Sequence, residues 1–101
     1  MTCVQFVALA IFLTTAVSEG DLRAADSGEA LADGCTSCHG IQGKSRGEIP
    51  SLDGLSRADF RQAMIDFRAQ RRTATIMNRI ARVYSDEDIA LLADYFSSVE
   101  K

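Results

Sequence analysis

The chain has 101 residues, with 11 Lys and Arg against 14 Asp and Glu, 47% hydrophobic residues, three Cys, one His and one Pro. That length sets one domain and excludes a doubly wound dinucleotide-binding domain, a barrel enzyme or a repeat array. The acidic balance excludes general nucleic-acid binding.

Residues 1–18 (MTCVQFVALAIFLTTAVS) hold thirteen hydrophobic residues and no charge, and the first charge is Glu19. The run falls short of the roughly 20 residues that a transmembrane helix needs. It fits a secretory signal, with Ala16 and Ser18 as the small residues before a cleavage point. No Lys or Arg precedes it, so the terminal amine is the only positive charge there. A buried N-terminal helix and an uncleaved anchor are the alternatives. Cys3 lies ahead of the apolar run, the wrong side for a lipid-modified Cys. Cleavage after residue 18 leaves a single domain over 19–101, in which 34 of 83 residues are hydrophobic. A domain that small buries only about 60% of its unfolded surface and needs a staple. The expected location is the periplasm, with no stable membrane span after cleavage.

From about Ala24 to Gly34 (AADSGEALADG) the chain is Ala-rich and predicts a first helix closed by Gly34. Gly28 inside it costs about 1 kcal/mol against Ala. It is either tolerated or marks a close contact with another helix.

Cys35-Thr36-Ser37-Cys38-His39 is C-x-x-C-H, the attachment sequence of a c-type haem. Two thiols three positions apart can add across the two vinyl groups on one edge of a porphyrin, and the next residue can then offer its imidazole to the iron. His39 is the only His. Structural zinc wants four ligands where this segment supplies three. A thioredoxin-like thiol pair needs a βαβ context that the chain lacks. A disulfide across two residues would close a tiny loop and stabilise little.

Residues 40–55 contain Gly40, Gly43, Gly47, Gly54 and the only Pro, Pro50. They read as a loop packed on the cofactor, because a loop of that length without a partner is unusual. Ser56 with Asp59 three residues on predicts a capping box and a helix to about Gln70. Within it Met64 shares the helical spacing of Phe60, Ala63 and Phe67, and reads as a packing residue. Met77 follows Arg71-Arg72-Thr73-Ala74-Thr75, which reads as loop. A loop Met can approach the iron opposite His39, so Met77 is the expected second axial ligand. Ser85 and Asp88 form a second capping box that opens the last helix, with Tyr84 and Ile89 as its hydrophobic staple and a stripe of Ile89, Leu92, Ala93 and Phe96.

Charge is not evenly spread. Residues 57–82 carry seven Arg against Asp59 and Asp66, net +5, while residues 19–56 and 83–101 are each net −4. Arg68, Arg71, Arg72, Arg79 and Arg82 bracket Met77. They are either a solvated face or a ring that docks an acidic partner.

Taken together, these residues resemble a class I cytochrome c over nearly the whole of 19–101. The resemblance implies an all-α fold, with three main helices and a Gly-rich loop around one covalent haem. It implies His39 and Met77 as the iron ligands. It further implies that the Pro50 carbonyl accepts from the ring of His39 and that Gly28 meets Tyr95 where the first and last helices cross. A narrower likeness rests on ATIMNRIA at 74–81, YSDE at 84–87 and LADYF at 92–96. These are similar to the cytochrome subunit of flavocytochrome c sulfide dehydrogenase, which implies electrons arriving from a flavin-containing partner. The expected role is therefore one-electron transfer with both axial positions filled, as a carrier or as the haem subunit of an oxidoreductase complex. The alternative is a haem sensor or peroxidase-like domain with a labile sixth ligand.

Overall fold

The computed structural model describes residues 27–100. The signal reading of 1–18, its cleavage point, Cys3 and the expected helix start at 24–26 lie outside the described residues. Among the described residues there are four α-helices and no strand: α1 Gly28–His39, α2 Arg57–Arg68, α3 Met77–Ile80 and α4 Asp86–Ser98. Two 3-10 turns, Ile41–Gly43 and Ala81–Val83, complete the described elements.

The first helix is displaced from its expected range. Ser27 caps it by accepting from the Ala30 N–H at 3.2 Å, so its first turn begins at Gly28. Gly34 does not end it. The helix runs on through both Cys of the motif and stops at Gly40, whose φ of 88° turns the chain away while its N–H bonds Thr36 O at 2.9 Å. The expectation chose the right residue type one and a half turns too early.

α2 begins where Ser56 accepts from the Asp59 N–H at 3.0 Å. Only this half of the expected capping box forms there. The helix ends at Arg68, two residues short of the expected limit. Gln70 takes a left-handed φ of 59°, and the Arg71 N–H closes on Asp66 O at 2.8 Å. α4 has the complete box. Ser85 Oγ accepts from the Asp88 N–H at 3.1 Å and Asp88 Oδ2 accepts from the Ser85 N–H at 3.0 Å.

α1 and α2 both pack on α4. Ile89, Leu92, Ala93 and Phe96 of α4 are fully buried, as the stripe requires, with Phe60 and Met64 of α2 and Ala32 of α1 against them. Met64 is a packing residue, 5% exposed. The Phe60 and Phe96 rings lie 5.4 Å apart, and such pairs add about 0.5–1.5 kcal/mol to simple burial. The α1–α4 crossing is set by Gly28. A Cβ there would stand 2.3 Å from Leu91 O and 3.1 Å from Tyr95 Cβ, so the two backbones meet only because none exists.

α2 is tied to α4 at both ends. Arg57 pairs with Asp94. Arg68 donates through Nη1 to Tyr84 O at 3.2 Å and through Nη2 to Asp86. The Arg68 hydrogen bond and charge hold the Asp86 carboxyl below the usual carboxylate range.

Two outcomes follow from this packing. Gly28→Ala should destabilise the holoprotein by about 1–3 kcal/mol, the usual cost of overpacking, read as a lower denaturant midpoint at unchanged slope. Asp86 contributes stability above its unfolded pKa, and that contribution is lost as pH falls through its lower folded pKa. The melting temperature of the native protein should therefore fall more steeply below the ordinary carboxylate range than that of Asp86→Asn; parallel curves would contradict this role.

Candidate functional site

The last turn of α1 presents Cys35, Cys38 and His39 in succession. Cys35 and Cys38 stand three residues apart on one helix, which places them on neighbouring positions of one face. Cys35 is half-buried against the core, and burial pushes its thiol pKa up. Cys38 is exposed. Among the described residues no group of three or more Cys, His, Asp and Glu gathers as a metal cluster.

His39 Nδ1 lies 2.6 Å from Pro50 O. A carbonyl oxygen only accepts, so Nδ1 carries the proton and donates. The neutral ring then has its free lone pair on Nε2, the form in which imidazole binds a metal. Pro50 reaches His39 because the loop doubles back on itself. Leu52 N–H and Asp53 N–H both donate to Gly43 O, at 2.8 and 3.3 Å, and Gly54 N–H donates to Phe96 O at 3.2 Å.

Met77 is not in an open loop. It is the first residue of α3, a single turn closed by the Arg79 and Ile80 N–H groups on Ile76 O at 2.9 and 3.2 Å. Met77 is half-buried and packs on the same core cluster as Cys35. Asn78 fixes this turn, a role no local pattern announced. Its Nδ2 donates to Phe67 O at 3.0 Å and to Arg72 O at 2.9 Å, fastening the turn to the end of α2 and to the intervening segment.

Tyr84 also has a larger part than its staple position implied. Its hydroxyl lies 3.2 Å from where a Cβ of Gly34 would be. Burial first, then the neighbouring Cys35 and Asp88, raises its pKa above the usual phenol range.

The donor set suits a flat iron-bearing macrocycle. One imidazole of fixed tautomer and two thiols stand at a helix end, and Ile41, Ile49 and Ile76 are 80%, 44% and 54% exposed in the segments that carry His39, Pro50 and Met77. A large apolar ring is what such side chains can cover. A cleft of about 710 Å³ beside Cys38, Ile41 and Ile49 flanks this segment, but neither His39 nor Met77 lines it. The five Arg expected to ring Met77 are not equivalent. Arg68 is bound to Asp86 and Arg71 to Asp66, whose carboxyl pKa is lowered by hydrogen bonds from Gln62 and Arg71.

Comparison with known proteins bears on this arrangement. The cytochrome c family model matches residues 25–100. The cytochrome subunit of sulfide dehydrogenase from Chlorobaculum tepidum is 43% identical over 74 residues, covering 73% of this chain and 67% of that protein. Cytochrome c-554(548) of Halomonas halodenitrificans is 36% identical over 80 residues, covering 75% and 96%. Cytochrome c-553 of Helicobacter pylori is 32% identical over 74 residues, covering 71% and 77%.

Proposed function

This chain belongs to the cytochrome c family, and from that premise we propose that it carries single electrons through an iron held between His39 and Met77. One covalent haem c, in the segment of Cys35 and Cys38, supplies the Fe(III)/Fe(II) couple. The observation that carries the ligand reading is the 2.6 Å contact of His39 Nδ1 with Pro50 O. It leaves the Nε2 lone pair for a metal and would hold the imidazole plane fixed with a haem iron bound there. Met77 is the thioether on a turn that Asn78 holds fixed, and a Met ligand raises the potential relative to a second nitrogen or water. Met64 is spent on the core.

The working compartment we propose is the periplasm, reached through residues 1–18 and followed by their removal. The apolar, uncharged run supports it, as does attachment of c-type haem outside the bacterial cytoplasm. Among the described residues no helix is long and apolar enough to cross a membrane. The partner we propose is a flavin-containing sulfide dehydrogenase subunit. The relative at 43% identity is the cytochrome subunit of sulfide dehydrogenase.

Met77→Ala should abolish the Met-ligand absorption band, lower the potential and admit CO rapidly to the reduced iron. Met64→Ala should keep the band while costing about 2–5 kcal/mol of stability. Loss of the band in Met64→Ala alone would reassign the ligand, and rapid CO binding by the unaltered protein would favour the sensor or peroxidase-like alternative. For the partner, holoprotein recovered from its own periplasm should bring a flavin-containing protein with it. Recovery of partners free of flavin would remove the sulfide dehydrogenase assignment.

A further inference from the structure

A second cleft, of about 370 Å³, lies over the segment that joins α2 to α3 and extends onto Arg79 and Arg82. Arg71, Arg72, Arg79 and Arg82 line it with Thr73 and Thr75, and no Asp or Glu is among its lining residues. Arg71 spends Nε and Nη2 on Asp66. The other three Arg have no ion-pair partner among the described residues.

Two of them are positioned by contacts that leave N–H groups of their guanidinium ends free. The Arg72 guanidinium carbon lies 4.9 Å from the centre of the Phe67 ring, and its charge helps Arg71 lower the Asp66 carboxyl, but no side-chain hydrogen bond takes its N–H groups among the described residues. Arg82 donates only Nε, to Asn78 O at 3.2 Å, which leaves both Nη groups for a ligand. The backbone beneath is held by the paired Asn78 bonds to Phe67 O and Arg72 O. Donors fixed before binding lose less freedom when a ligand arrives.

We propose that this cleft binds a multivalent oxyanion of the phosphate or sulfate class, and that oxidation of the iron tightens the binding. Guanidinium edges match the oxygens of a tetrahedral anion in bidentate fashion. Several like charges around one cleft favour a multivalent anion over a monovalent one. Thr75 and Asn78 both line the cleft, and Met77 lies between them in the chain. The ferric state carries one more positive charge than the ferrous state, so an anion held there prefers it, and by linkage the same anion lowers the potential. The redox part of this inference rests on the Met77 reading; the binding part does not.

The test is calorimetric titration of the ferric and ferrous holoprotein with sodium pyrophosphate, and separately with sodium sulfate, at an ionic strength held constant with NaCl. The expected result is saturable single-site binding by at least one of the two, tighter in the ferric form. Arg79→Gln and Arg82→Gln should each weaken it by about tenfold, the scale of a lost charged hydrogen bond. Arg61→Gln, outside the cleft, should leave it unchanged. No saturable heat with either anion, equal affinity in both oxidation states, or an Arg61→Gln loss matching that of Arg79→Gln overturns the proposal. If Met77→Ala keeps its Met-ligand band while ferric binding remains saturable and sensitive to Arg79, the ligand reading has failed and the site has not.

Discussion

The hydrogen bond from His39 Nδ1 to Pro50 O is the contact on which the site depends. Its energetic worth is modest, about 1 kcal/mol for an ordinary hydrogen bond. Its geometric worth is larger, because it selects one tautomer and one ring plane. The contact exists only if α1 stops at His39 and the chain reverses. Gly40 supplies the reversal, and the loop is then held from the far side by Gly43 O and by the Gly54 bond to Phe96 O. Phe96 is the most central aromatic of the core. The orientation of the His39 ring is therefore inherited from core packing through a short relay of backbone bonds.

The positive middle of the chain divides by task. Arg57 and Arg68 fasten the two ends of α2 to α4, and Arg71 stays with Asp66 beside the α2 terminus. Arg72, Arg79 and Arg82 remain on the segment that leads into and follows Met77. The chain is net −3, yet the charge nearest that turn is positive. A chain of net negative charge can thus present a local cationic field beside that turn.

What was legible in the sequence was local. C-x-x-C-H declares itself, the Ser85 and Asp88 box needs only four residues, and the helical spacing around Met64 places it inward. What was not legible depended on distant partners. Gly34 has the propensity to end a helix, but Tyr84 packs over it and α1 continues. Ser56 and Asp59 have the same spacing as the working box and make only half of it. Met77 stands in a helical turn too short to form alone, and the turn persists because Asn78 reaches residues 6 and 11 positions back. The division among the Arg follows partners as far as 37 residues away in sequence, from Arg57 to Asp94.

The Gly28 crossing ties the first described helix to the last. Nothing near α1 in sequence can replace that support, because its packing surface is supplied by Leu91, Tyr95 and their neighbours. Contacts of such long sequence separation form late and slowly. During synthesis α1 has no tertiary shelter until the C-terminal residues arrive, so Cys35 stays open to solvent over that interval. The fold thereby leaves a kinetic window for chemistry at Cys35, which narrows when α4 docks, while Cys38 stays exposed in the folded chain.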